Sequence, residues 1–335
     1  MFCKVDNYLI WFAMEHNYLP IVFIFLSWLL TNPFACAQHT PAVQPDSTQL
    51  QNHRYIELFR SNTDMSYLSP KGELGAPSKY VLNGELITNF FVLATRTSRL
   101  SLAFTPRFTI RIRDGASSPV GTPSYRIGLR AFYRLTHQVA RYHYLEGQMY
   151  HHSNGQDGDA LRTNGTYNTD TGDFATNYVQ GNYHWGTYHR HHYGTNYNLG
   201  IRWHAPFFHH SEGLKDQYGF TRLVGQALYR RFHRSSSTLT TLHKSSVTSE
   251  WFRISGQASY AVNKLNGAGL PDVRRRLNAE LSVYYIPPFG HDTGVFITVG
   301  YYGEDPYNIY FNQQYGFVRL GISAGYTRYD EDVRR

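Results

Sequence analysis

The run Met149-Tyr150-His151-His152-Ser153-Asn154-Gly155 places a hydroxyl two residues after an imidazole at the end of an alternating segment. Side chains of an extended chain point alternately to opposite faces, so His151 and Ser153 share one face and His152 takes the other. Behind the pair its face reads Arg141, His143, Leu145, Gly147, Met149, turning apolar, while the opposite face reads Tyr142, Tyr144, Glu146, Gln148, Tyr150, His152. A second alternating segment follows residues 155–173, and Asn177 is a polar amide on its apolar face, with Ala175, Val179, Gly181, Tyr183 and Trp185. Serine, histidine and asparagine make a workable hydrolytic set: the hydroxyl attacks, the imidazole takes its proton, and the amide oxygen orients the imidazole. On an apolar surface such groups are costly unless they satisfy one another.

The elements that must carry these residues are strands. Of 335 residues 16% are aromatic and only 17% charged, and the net charge of +8 comes from Arg scattered along alternating segments rather than from a basic run. That pattern excludes nucleic acid as the expected partner. The clearest segment is 99–113, with Leu100, Leu102, Phe104, Phe108, Ile110 and Ile112 against Ser101, Thr105, Arg107, Thr109, Arg111 and Arg113. The same reading gives strands at 54–70, 82–95, 99–113, 124–135, 140–154, 174–188, 191–208, 218–232, 251–264, 274–287, 294–303 and 312–328, with no useful helical periodicity. Twelve strands close a transmembrane antiparallel β-barrel with both termini on one side; a soluble β-sandwich rarely needs so many long strands. With the termini periplasmic, loops 71–81, 114–123 and 155–173 are extracellular and the joints at 96–98, 136–139 and 189–190 are short. Residues 233–250 are too long for a periplasmic turn, so either the two flanking strands extend or the count slips there.

Residues 1–37 read as a signal peptide: the apolar run Ile21–Leu30 and then Ala35-Cys36-Ala37 before Gln38, too short to span a membrane. Either Met1 or Met14 could start the chain. Cys3 and Cys36 both fall in this leader, leaving a thiol-free mature chain suited to an oxidising compartment. Residues 38–53 form a polar tail, 54–329 the barrel, and 330–335 a charged C-terminal tail.

The run His151-His152-Ser153-Asn154-Gly155 resembles the His-x-Ser-Asn-Gly signature of outer membrane phospholipase A. Ser117-Ser118-Pro119, Ser124-Tyr125, Asn177, and Tyr302-Gly303-Glu304-Asp305 followed by Asn308-Ile309-Tyr310-Phe311-Asn312 are similar to further stretches of that family. The resemblance spans about 54–328. It implies a calcium-dependent phospholipase of the bacterial outer membrane, with Ser153 as nucleophile, His151 as base, Asn177 as its orienter and the Gly155 N–H as an oxyanion donor. It also implies calcium held by the carbonyls of Ser117 and Gln156 and by Asp173, and a homodimer as the active form, the membrane phospholipid lying between two lipid-facing surfaces. Loop 155–173 departs from the family in its length and in carrying Asp157, Asp159, Asp170 and Asp173.

Other readings stand beside this one. Ser-Asn-Gly is a good turn former, and a non-enzymatic barrel, a small porin or binding protein, is the competing function; it predicts a wide polar lumen. His189-Arg190-His191-His192 and His209-His210 read as solvated rims, Arg274-Arg275-Arg276 as a headgroup contact, and the loop Asp residues as either metal ligands or solvated charge.

Overall fold

The computed structural model describes residues 47–95, 97–115, 123–189, 191–204, 211–240, 243–287 and 293–332, all within one compact unit, Pro45–Arg335. The expected leader, Ser117 and His209-His210 lie outside the described residues. Helix α1 (Ser47–Ser61) is followed by β1 (Ser66–Pro70), β2 (Tyr80–Ile87), β3 (Phe90–Leu93), β4 (Leu100–Phe104), β5 (Arg107–Arg113), β6 (Ser124–Arg134), β7 (Arg141–Ser153), β8 (Thr176–His189) and β9 (Tyr193–Trp203). Then come β10 (Thr221–Thr240), β11 (His243–Ala261), the single turn α2 (Val273–Arg276), β12 (Leu277–Tyr285), β13 (Thr293–Tyr302), β14 (Tyr315–Ala324) and β15 (Arg328–Asp332).

Every pairing between these strands is antiparallel, and β1 against β14, in the register Leu68↔Ile322, closes the sheet. The segments β2 and β3 make one barrel strand, as do β4 and β5, broken where Pro106 has no N–H to give the ladder. The result is a closed twelve-stranded barrel, with β15 added against the base of β11. Strand β7 shows why: Tyr142, Tyr144, Glu146, Tyr150 and His152 are buried in the lumen, while Leu145, Met149 and His151 are exposed outside. Leu129, Leu199, Ile201, Leu281, Ile297 and Leu320 continue that exposed apolar face around the barrel. No described helix is long and apolar enough to cross a membrane.

Two expectations change. Residues 54–61 are helical rather than the start of a strand: Tyr55, Leu58, Phe59 and Asn62 recur at helical spacing and are all buried. Phe59 stacks on Phe132 at 4.7 Å and meets Tyr144 edge-on, and Tyr142, Tyr188 and Phe232 complete the cluster. The helix thus fills the lumen at the end where the joints are short. The overlong joint at 233–250 resolves the other way: β10 and β11 pair from Arg222↔Ala261 to Thr240↔His243, beyond the ends of their neighbours, so the count holds and the strands extend.

The middle of the lumen is polar. Arg107 and Arg126 meet Glu85, and Arg130 and His184 meet Glu146. Buried charge of this kind persists only when paired. At the end bearing the long loops, residues 303–314 fold inward, and Tyr307, Ile309, Tyr310 and Phe311 pack with Phe174, Leu214 and Tyr218. Burial pushes the Asp305 carboxyl of this loop above its ordinary pKa although Arg111 binds it at 2.7 Å.

Candidate active site

The site lies where β7 ends and β8 begins. Their ladder runs to Met149↔Val179, Tyr150↔Tyr178, His151↔Asn177 and His152↔Thr176, so the histidine and asparagine face each other directly. Both side chains point outward, and His151 Nδ1 lies 2.9 Å from Asn177 Oδ1. An amide oxygen is only an acceptor, so this contact places the imidazole proton on Nδ1 and leaves Nε2 as the free base. Ser153 is two residues further on the same face, half-buried and opposite Tyr125 of β6. A Ser153–His151 hydrogen bond is not among the bonds of the described residues; such contacts commonly tighten only when substrate is bound.

Gly155 follows with φ +65°, and a Cβ there would lie 2.9 Å from the Tyr125 ring. Both the backbone sign and the contact require glycine. Between Ser153 and Gly155 the Asn154 side chain turns inward, donating to Gly172 O at 2.8 Å and accepting from Phe174 N at 3.1 Å. It ties the two ends of loop 155–173 together at the mouth of the hairpin.

That closure bears on calcium. Gly158 N donates to Thr171 O and Asp173 N to Gly158 O, so Gln156 and Asp173 flank the paired base of the loop. A backbone carbonyl and a carboxylate are hard oxygen donors of the kind calcium takes; Ser117 is not described. The remaining loop acids do not join them. Asp170 pairs with Arg162 at 2.5 Å, Asp157 and Asp159 are exposed, and no three of His, Cys, Asp and Glu form a metal-binding group among the described residues.

A histidine–serine contact lies on the opposite face. His152 Nε2 is 2.7 Å from Ser124 Oγ of β6, and both residues are buried in the lumen. The alternation placed His152 inward but gave no sign of its partner. Of the three arginines 274–276 expected at the headgroups, Arg275 and Arg276 turn instead to backbone carbonyls, while Arg274 is exposed. Arg276 donates to the carbonyls of Gly269, Ala261, Asn263 and Ala268, and Arg275 to those of Gly303, Phe311 and Gln217. Arg276 closes its own connection between β11 and β12, whereas Arg275 ties that connection to two others, and only the fold brings the carbonyls that Arg275 binds within reach.

Closed barrel, filled lumen and an outward-facing His–Asn–Ser rim define a membrane barrel of the outer-membrane type. No protein-family model and no curated protein matches the sequence. Among solved structures, the barrel is similar to outer membrane phospholipase A from Escherichia coli, with a TM-score of 0.51 at 12% identity over 82% of this chain and 97% of that one. It is similar also to the outer membrane phospholipase dimer with bound calcium from Salmonella typhi, with a TM-score of 0.50 at 12% identity over 78% and 90% of the two chains. At that identity the likeness shows the fold.

Proposed function

We propose that the protein is a phospholipase of the bacterial outer membrane, hydrolysing a carboxylic ester of membrane phospholipid at the outward rim of β7 and β8, with calcium and as a homodimer. The observation that carries this is the His151–Asn177 hydrogen bond on the exposed face, two residues from Ser153. The long-loop end is then extracellular and the exposed apolar face is the lipid contact.

Ser153 Oγ attacks the ester carbonyl as His151 Nε2 takes its proton, and the same imidazole returns that proton to the departing glycerol oxygen. Water then hydrolyses the acyl-serine with His151 again as base. Asn177 holds the ring through Nδ1–H, and the Gly155 N–H supplies a donor for the oxyanion. Gln156, Asp173 and Ser117 would hold calcium, which would supply positive charge to stabilise the oxyanion. A rim on a convex barrel wall has no deep pocket of its own, which is the reason for a second copy.

The transport alternative asks for an open lumen, whereas α1 and the loop 303–314 both pack into it. The test is fatty-acid release from phospholipid–detergent micelles by the full chain. Release is expected in calcium, to be lost in EDTA and to return on adding calcium. Undiminished release in EDTA overturns the metal, full activity of a cross-link-locked monomer overturns the dimer, and conductance without release favours the non-enzymatic barrel.

A further inference from the structure

We propose that Asn308, on the inward-folded loop between β13 and β14, is a positioning residue that sets Ser153 and Asn177 relative to each other from inside the barrel; this rests on the phospholipase reading. Asn308 is 1% exposed. Its Nδ2 donates to His152 O at 3.1 Å and to Phe174 O at 3.0 Å, using both amide protons, one on the end of β7 and one on the segment that leads into β8. His152 O belongs to the peptide that joins the lumenal His152 to Ser153. Phe174 O lies three residues before Asn177, just past the last ladder pair, His152↔Thr176. Here the β7–β8 ladder stops and loop 155–173 begins, so Ser153, one residue past the last pair, has no rung to β8. A carboxamide that bridges the two carbonyls replaces a missing rung.

A clamp must itself be held. Tyr218 Oη donates to Asn308 Oδ1 at 3.2 Å, which fixes which end of the amide faces the strands. Arg275 grips the same loop at Gly303 O and Phe311 O. Glu304 accepts from Arg222 at 2.5 Å and from Gly219 N at 2.7 Å, and Asp305 accepts from Arg111. The loop is pinned on either side of Asn308 by residues of other loops and strands. Its rigidity reaches Ser153 through one amide.

The test compares the wild-type chain, Asn308→Leu and Tyr218→Phe in detergent, each checked for heat-modifiable migration. Three quantities are read: kcat and KM for fatty-acid release, the rate at which a fluorophosphonate labels Ser153, and hydrogen exchange of peptides covering 150–156 and 174–178. Asn308→Leu keeps the branching at Cγ and removes both donors; kcat and labelling rate are expected to fall about tenfold to a hundredfold, the scale of a misplaced reacting group. KM is expected to stay within about twofold and exchange in those two peptides to rise. Tyr218→Phe leaves the donors in place and, should Asn308→Leu not fold, still carries the test, with a smaller fall in kcat in the same direction. Unchanged kcat in the folded variants, with or without faster exchange, overturns the positioning role while leaving the phospholipase reading intact. Absence of release by the wild type overturns that reading, and the positioning role with it.

Discussion

At the end of β7 two histidines, one residue apart, make similar contacts on opposite sides of the barrel wall. His152 meets Ser124 at 2.7 Å in the lumen, and His151 meets Asn177 at 2.9 Å on the exposed face. By distance alone the inner pair is the better serine–histidine dyad. It is enclosed by the barrel, with Asn308 and the inward loop beside it, and no lipid ester can reach it. The outer pair stands where an acyl chain can lie. Under the proposed phospholipase reading, the face rather than the contact geometry chooses between the two histidines, and alternation along the strand sets the face.

The largest expected effects break that comparison if they fall on the wrong face. Ser153→Ala and His151→Ala should each reduce fatty-acid release on the order of a thousandfold or more, since nucleophile and base act as a unit. Both residues sit at the rim of the sheet, so each variant should keep the heat-modifiable migration of an intact barrel. An active His151→Ala beside an inactive His152→Ala would exchange the roles of the two faces. Full release by Ser153→Ala would remove the hydrolase assignment altogether.

Asn177→Ala sharpens the outer side of the comparison. The amide touches the imidazole rather than the ester, so its loss frees the ring to rotate while base and nucleophile remain. A loss of kcat of about tenfold to a hundredfold is expected, smaller than for His151→Ala. Equal losses in the two variants would give Asn177 a more direct part in the reaction than orienting.

Much of this was legible in residue order. The alternation of 99–113 and 140–154 needs only one wall with lipid outside and polar groups inside, and it set the face of each histidine, while the count of twelve stayed open at 233–250, where the structure extends β10 and β11. The His151–Asn177 pairing followed because a hairpin brings its two strand ends together. Elsewhere the signal was weak. Tyr55, Leu58 and Phe59 are too few to separate helix from strand, and what made them a helix is the aromatic lumen formed by Phe132, Tyr142 and Tyr144. The Ser/Thr-rich continuation of β10 and β11 has no apolar face because it extends past its neighbours, so the period that marks a membrane strand is missing there. Asn308 and Arg275 act on backbone carbonyls far away in sequence, and a carbonyl carries no residue-type signature.

The inner pair carries the smallest expected effect on activity. Ser124→Ala leaves His152 Nε2 buried without that partner, and an unsatisfied buried polar group costs about 1–3 kcal/mol. His152→Ala removes the ring and leaves space against the lumenal packing, a cost of similar or larger size. Neither change touches the His152 carbonyl that Asn308 holds, nor any group on the outer face, so release should stay within about threefold of wild type in both. The double variant Ser124→Ala/His152→Ala should be less destabilised than the sum of the two, because the second substitution removes the group that the first stranded; a coupling of about 1 kcal/mol is the expected size. Urea unfolding of the three variants in detergent, read by the loss of heat-modifiable migration, measures the cycle, and fatty-acid release measures the consequence. Strict additivity in stability would mean that the 2.7 Å contact contributes nothing to holding β6 against β7. A thousandfold loss of release in Ser124→Ala, with the barrel intact, would place the reaction in the lumen.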